Sequence, residues 1–583
     1  MKKMELFARH ISLLFVIVLS SACGGDGDVA LDSLSITNEN LEQIFQPNQT
    51  NYTATVGFLA QSVTLKATTT LENATITVNG VTVSSNNTSH SIALSEGINP
   101  TITVVVTKGS NSKAYTLTIT RETVSEFAEQ AYIKGLNTNT ADQFGYSVAL
   151  SGDTLAVGAH VEASSATGIN STPDNFATEA GAVYIFSRSG STWTQQAYIK
   201  ASNTDALDHF GYSIALSGDT LAVGATDEDS STTGINSTPD NFASDAGAVY
   251  VYSRSGSTWT QQAYIKASNT GVNYHFGHSV ALSDNTLAVG AHTEFSSTTG
   301  INSTPDVLAQ AAGAVYVYSR TGNTWSQQAY IKASNTGAND LFGKSVALSG
   351  DILAVGASQE DGSTTGINST PDNLAPDAGA VYIYSRSGTS WSQEAYIKAS
   401  NTDANDWFGW SVALSGNTLA VGAVFEDSST TGINSTPNNI AESAGAVYVY
   451  KRSGMTWTQQ AYIKASNIDR SNNFGWSVAL SGDTLAVGAR HEPSSTTGID
   501  STPNNLAASA GAAYLYGRNN KIWTQQAYIK ASNTDADDRF GSSVALSGDT
   551  LAVGAIFEDS STVGINSTPD NLAASAGAAY VFE

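Results

Sequence analysis

The chain is poor in the residues that most often carry chemistry or cross-links. It has one cysteine, Cys23, in 583 residues, which excludes a disulfide framework and any cysteine-based zinc or iron–sulfur centre. Charged residues make up only 13%, and 26 Lys and Arg stand against 51 Asp and Glu, a net charge of −25. Binding nucleic acid or an anionic membrane through a basic face is therefore not expected, because it depends on neutralising phosphates. There is no P-loop, nucleophile elbow or HExxH motif, and the eight histidines are scattered. What is present is 41% hydrophobic residues, 51 glycines and abundant Ser, Thr and Asn, a composition that can fill cores and is not that of a disordered chain.

The N-terminus reads as an address. Lys2, Lys3 and Arg9 precede the apolar stretch Ile11–Leu19, whose nine residues suit a secretory signal but are too few to span a bilayer. Ser20-Ser21-Ala22 and then Cys23 follow. This resembles a bacterial lipoprotein signal, which implies cleavage before Cys23 and acylation of its thiol. Residues 1–22 are thus expected to be the signal peptide and 23–28 a Gly/Asp tether. Asp does not directly follow Cys23, so the resemblance implies an anchor at the outer membrane or cell surface of a bacterium.

Residues 29–121 read as a small all-β domain. Short runs rich in Val, Thr and Ile, such as Tyr52–Val56 and Ala74–Val78, are separated by turn residues, and Asn79-Gly80 is a type I′ hairpin signal before Val81–Val83. About seven strands in ~90 residues predict a β-sandwich. The segment resembles the bacterial cadherin-like β-sandwich, which implies a spacer or accessory module.

The rest of the chain, 126–583, is a repeat. Phe-Gly recurs at Phe144, Phe210, Phe276, Phe342, Phe408, Phe474 and Phe540, always 66 residues apart. Each unit holds four strand-like runs; in the second they are 210–216, 220–225, 247–252 and 258–266. Four strands repeated seven times predict a seven-bladed β-propeller. The seventh unit lacks its fourth strand at the C-terminal end, while an orphan fourth strand, 127–134, precedes the first Phe-Gly. Phe127 stands 66 residues before Trp193, in the place that tryptophan takes elsewhere. That strand is expected to complete the last blade and close the ring, removing an exposed edge.

The motif running from Phe210 to Tyr250, Phe-Gly-x-Ser-x-Ala-Leu-Ser-Gly-Asp-Thr-Leu-Ala-Val-Gly-Ala and then Gly-Ala-Val-Tyr, resembles the FG-GAP repeat of integrin α-chain propellers and bacterial surface proteins. Integrin-type repeats often carry an Asp-x-Asp-x-Asp-Gly calcium loop between the first two strands. Here that loop is Ser217–Thr220 with a single carboxylate, too few oxygens for calcium, so this function does not carry over.

Antiparallel connectivity puts the long loop between second and third strands, such as 226–246, at the same end as the start of the first strand. The other end has only short, near-identical turns. The residues that flank Phe-Gly vary from blade to blade: Gln143/Tyr146, His209/Tyr212, His275/His278, Leu341/Lys344, Trp407/Trp410, Asn473/Trp476 and Arg539/Ser542. A varied, loop-rich face over a uniform scaffold is the default binding surface. Trp407, Trp410 and Trp476 are candidate ligand contacts, by stacking on sugars or anchoring protein, or else merely cover the channel entrance. His275 and His278 form an HxxH without an evident third ligand.

The long loop also repeats a carboxylate: Glu162, Glu228, Glu294, Glu360, Glu426, Glu492 and Glu558. Each could help hold calcium with the Asp or Asn that follows Pro further along the loop, or could pin the loop by accepting backbone hydrogen bonds. Lys200 and its equivalents read as solvated strand ends. No constellation occurring once marks an active site, so a non-enzymatic surface-anchored binding or adhesion protein is expected, with an extracellular glycan or protein as partner. A polysaccharide-active hydrolase or lyase and a structural surface-layer protein are the alternatives.

Overall fold

A computed structural model describes residues 29–37 and 41–583; the expected signal, tether and Cys23 lie outside the described residues. All regular elements are strands. The N-terminal domain carries a sheet in which Asn51–Val56 pairs in parallel with Asn111–Arg121, followed by Ile102–Lys108, Thr75–Val78 and Val81–Val83. Short pairs, Ser33–Ile36 with Leu65–Thr68 and Ser62–Val63 with Ile92–Ala93, cover it. Asn79 and Gly80 have φ of 48° and 81°, the two positive values that a type I′ turn requires. Alternating residues of the strands meet in one core around Leu65, Val104, Val106, Tyr115, Leu117 and Ile119.

The remainder forms seven antiparallel sheets that all contain the expected four-strand order, and in the fifth and sixth a two-residue strand of the long loop, Gly432–Ile433 or Gly498–Ile499, adds a fifth at the outer edge. In the second blade the strands are Phe210–Ser217, Thr220–Ala225, Ala248–Ser255 and Thr258–Ile265. Blades pack face to face through buried Val, Leu, Ala and aromatic side chains; Val183, Ile185 and Ile199 of the first blade, for example, share one cluster with Phe210, Tyr250 and Tyr252 of the second. The glycine of each second strand is required by this packing. A Cβ on Gly224 would fall 2.1 Å from the carbonyl oxygen of Gly277 in the next blade. The same carbonyl accepts a hydrogen bond from Ser213 Oγ at 2.6 Å. This inter-blade bond recurs from Ser147, Ser279, Ser345, Ser411 and Ser477, and finally from Ser543 back to Gly145 of the first blade. The ring is therefore closed. Glu129–Ile133 pairs antiparallel with Ala578–Phe582 and completes the seventh sheet, while Phe127 stacks on Phe582 with centroids 6.2 Å apart.

The sandwich docks on the short-turn end of the sixth and seventh blades. Thr484 Oγ1 donates to the Leu59 carbonyl at 2.8 Å, Ser62 Oγ to Asp483 at 3.1 Å, and Arg121 to Gln526 at 3.1 Å. Phe58 and Leu59 join the apolar cluster of Phe127, Leu515 and Phe582. Gly517 replaces the serine found at this position in the first four blades, and a Cβ there would fall 2.4 Å from Gln61. The repeat departs from its pattern where the neighbouring domain needs room.

Candidate functional site

The long loops are pinned by a buried charge cluster that repeats in every blade. Lys134, Lys200, Lys266, Lys332, Lys398, Lys464 and Lys530 are each 0% exposed. This corrects the expectation that they are solvated strand ends. Each ammonium sits 2.6–2.9 Å from a loop glutamate: Lys200 with Glu162, and so on around the ring to Lys134 with Glu558. The last of these pairs joins the two ends of the repeat region.

The same carboxylates accept an asparagine amide at 2.8–3.0 Å and a backbone N–H two residues on at 3.0–3.1 Å. In six blades they also accept a tyrosine hydroxyl at 2.7–3.0 Å. Both oxygens of Glu162, Glu228, Glu294, Glu360, Glu426, Glu492 and Glu558 are thus committed to donors and a cation. Of the two readings of these residues, this geometry is that of the loop anchor. Asp174, paired in sequence with Glu162 as a possible calcium ligand, instead accepts from Ser165 N and Oγ at 2.7 and 2.9 Å and from Phe176 N at 3.2 Å. The Ser165 amide holds its carboxyl below the usual range. Among the described residues no group of three or more His, Cys, Asp or Glu is arranged to hold a metal ion.

These anchored loops surround a channel mouth. The residue after Phe-Gly in successive blades forms a chain of contacts around it. Tyr146 lies 5.0 Å from Tyr212, and Tyr212 5.0 Å from His278 (ring centroids). Lys344 Nζ is 3.1 Å from His278 Nε2 and 4.3 Å above the Trp410 ring, and Trp410 is 4.6 Å from Trp476. A second layer comes from the residue that follows each second strand: His160 packs on Tyr146 and His292 on His278, both at 3.8 Å, while Arg490 lies 3.1 Å from the Trp476 ring. The residue before Phe-Gly adds a third layer, as in Trp407, stacked 5.4 Å from Trp410 and edge-on to Phe425 at 4.7 Å.

All seven residues of that third layer have φ between 50° and 57°. A left-handed conformation costs a non-glycine residue on the order of 1–2 kcal/mol. Every blade retains a side chain there despite that cost.

The three tryptophans singled out from sequence are therefore brought together, each half-buried. His275 and His278 are not a chelating pair. His275 bonds Thr293 Oγ1 at 2.8 Å and approaches Asp227 at 3.4 Å, and His278 turns to Lys344 and His292.

Two features escaped the sequence reading. Five of the eight histidines converge: His160, His209, His275, His278 and His292 line a cavity of about 320 Å³ with Asp227 and Lys344. His209 and His275 stand one 66-residue period apart, and His160 and His292 two, so their equivalent positions were legible while the approach of their side chains was not. Burial and the His209 charge keep His160 down at about 3, and burial with the neighbouring His292 and Lys344 charges keeps His278, and with the Lys344 charge His292, well below the usual histidine range. His209 is the exception. Burial opposes its charge, but hydrogen bonds to Asp227 (2.5 Å) and Glu179 (2.9 Å) outweigh it and raise its pKa.

The second feature was legible. Phe176, Phe242, Leu308, Leu374, Ile440, Leu506 and Leu572 recur every 66 residues at the long-loop tips and are 65–87% exposed. They give this face a ring of seven apolar tips.

The family profile described as FG-GAP repeat matches residues 127–186, 193–252, 259–318, 325–384, 391–450, 457–516 and 523–582. The chain belongs to the FG-GAP repeat family. A second profile, the cadherin-like beta sandwich domain, matches residues 31–122. Among curated proteins no sequence matches. Solved structures with some likeness include a "putative 6-phosphogluconolactonase" from Bacteroides uniformis, at 11% identity and a TM-score of 0.38, covering 74% of this chain and 93% of that one. Another is a quinonprotein alcohol dehydrogenase-like protein from Bacteroides thetaiotaomicron, at 8% identity and a TM-score of 0.30, covering 85% and 97%. Likeness at that level carries no argument about chemistry. Within the FG-GAP family this chain's long-loop anchors are built from Glu–Lys pairs, and its short first loop bears one carboxylate.

Proposed function

We propose that this FG-GAP propeller is a non-enzymatic binding or adhesion protein, lipid-anchored through Cys23 at a bacterial outer membrane or cell surface, which takes up an extracellular glycan or protein on its long-loop face. The observation that carries this reading is the Trp407–Trp410–Trp476 cluster at the channel mouth, flanked by Lys344 and Arg490. Half-buried tryptophans with part of the ring at the surface stack on sugar rings and anchor protein partners. The placement of the sandwich supports it: the spacer occupies the short-turn end, so the tethered side and the binding side are opposite. The seven exposed apolar tips suit a protein partner at the rim of the same face.

The test is binding of the soluble chain, residues 24–583, to saccharide and extracellular-protein arrays, repeated with W407A/W410A/W476A. Loss of at least tenfold in affinity with an unchanged melting temperature is expected. Wild-type binding by the triple variant would remove the mouth from the reading.

The rival, a polysaccharide-active hydrolase or lyase, has one observation in its favour. Asp227 and Glu179 hold His209 between them at the edge of the histidine cavity, an acid–histidine arrangement that occurs once in the ring. Release of reducing ends or unsaturated products from a polysaccharide panel, abolished by D227N, would favour that reading over the binder.

A further inference from the structure

The cations of the propeller fall into two groups. From residue 127 onward there are nineteen Lys and Arg, and thirteen of them repeat with the blades. Those thirteen are almost all neutralised. The seven lysines meet the loop glutamates, and five of the six arginines at the short-turn end meet a carboxylate, as Arg254 meets Asp219. Six cations break the period, namely Lys344, Lys451, Arg470, Arg490, Lys521 and Arg539. Three of these, Lys344, Arg490 and Arg539, stand at the variable positions of the channel mouth.

None of those three forms an ion pair with a carboxylate among the described residues. Lys344 contacts an imidazole and the Trp410 ring, Arg490 lies on Trp476, and Arg539 lies 4.4 Å from the Phe557 ring. The Nε atoms of Arg490 and Arg539 are buried with no hydrogen-bond partner. Burial, with repulsion from Arg539 added, brings Arg490 down to about 9, and burial brings Lys344 down to about 8. Buried charges are normally paired, and a buried N–H is normally bonded. Here a chain of net charge −25 keeps positive groups without counter-charge at one place, where its ligand is expected.

We propose that the channel mouth is an anion site, and that the ligand of the long-loop face is an acidic saccharide whose carboxylate or sulfate groups bind between Lys344 and Arg490. The inference rests on the binding-face reading above and adds the chemistry of the ligand. Lys344 and Arg490 both line a cavity of about 190 Å³ with Tyr146, Tyr212, Trp410 and Trp476, where a single sugar ring would lie against aromatic surface with its anionic group between the cations. A planar guanidinium pairs with a carboxylate or a sulfate through two parallel hydrogen bonds, and would supply the Nε–H that now has no acceptor. Arg539, beside Arg490, adds field and no required contact.

The experiment uses the soluble chain, residues 24–583, as wild type, as K344Q/R490Q and as W407A/W410A/W476A. The probes are polygalacturonate, a sulfated galactan and neutral galactan, with sodium sulfate as the minimal anion. Wild type should bind one or both acidic polymers at least tenfold more tightly than the neutral one. The preferred polymer identifies the group as carboxylate or sulfate. K344Q/R490Q should lose that preference while melting at or above the wild-type temperature, since it sheds uncompensated, half-buried charge. Sulfate should raise the wild-type melting temperature by more than it raises that of K344Q/R490Q; the common part is the salt's general effect on burial. Neutral galactan bound as well as the acidic polymers, with loss only in the tryptophan variant, would overturn the anion site and leave the binding face standing. Equal sulfate shifts in wild type and K344Q/R490Q, with acidic polymers not preferred, would also overturn it. Failure of every saccharide and every arrayed protein would overturn the binding face itself.

Discussion

Replacing Glu294 with Gln in the third blade tests whether the loop glutamates are anchors. Glu294 Oε2 lies 2.8 Å from Lys332 Nζ, with both side chains 0% exposed. It also accepts from Asn269 Nδ2 at 2.8 Å, Tyr330 OH at 3.0 Å and Ser296 N at 3.0 Å. E294Q keeps the shape, leaves the Lys332 ammonium without its counter-charge, and turns an amide NH2 toward donors. Breaking a buried pair from one side costs about 3–5 kcal/mol. For a cooperative unit of this size, at ~2 cal/mol/K per residue, the unfolding entropy is roughly 1 kcal/mol/K, so the melting temperature should fall by about 4 °C. E294Q/K332M, which removes both charges, should recover most of that loss. Calorimetry on the four corners of the cycle, each with calcium and with chelator, is the assay. The reasoning is refuted if E294Q melts like wild type, or if calcium raises the wild-type melting temperature by several degrees and E294Q abolishes the rise.

Three further outcomes are expected. Burial pushes Asp208, Asp406 and Asp538 up to about 8 and Asp142 and Asp340 up to about 7. The native state then holds protons that the unfolded chain, titrating near 3.8, has already released. Their contribution is therefore full below about pH 4 and is lost as pH rises toward 8. D208N/D406N/D538N, which imitates Asn472 of the sixth blade, should flatten that decline in urea titrations, and an unchanged slope would sink the assignment. Gly224→Ala, whose Cβ would meet the Gly277 carbonyl at 2.1 Å, should cost about 3 kcal/mol by overpacking. Gly218→Asn should be nearly neutral, because its φ of 55° suits Asn and nothing lies within 4 Å; equal losses in the two would remove the inter-blade argument. Gly517→Ser should loosen the sandwich by crowding Gln61. The readout is faster proteolysis between residues 121 and 127 with propeller unfolding unchanged.

The architecture could be read from the chain because each of its determinants is local or periodic. Four short strands cannot bury both faces of their sheet alone, so a 66-residue period of such strands must stack, and a fourth strand displaced to the N-terminal end must return to pair with Ala578–Phe582. The type I′ turn at Asn79-Gly80 and the long-loop face follow equally from local chemistry and connectivity. The seven apolar tips from Phe176 to Leu572 were present in the same period.

Tertiary structure decided what depends on partners far apart in sequence. Lys200 looks like a strand end bound for water, and only the return of the loop that carries Glu162, 38 residues away, makes its burial affordable. The histidines come from the first three blades, and although His160 and His292 hold equivalent places in the 66-residue period, only the packing of those blades sets them with His209 and His278 around one cavity. Lys344 and Arg490 each look like an ordinary surface cation until packing places them on tryptophans with no carboxylate in reach. Burial, and with it the cost of a charge and the chemistry of the site, is a property of the closed ring and not of any segment of it.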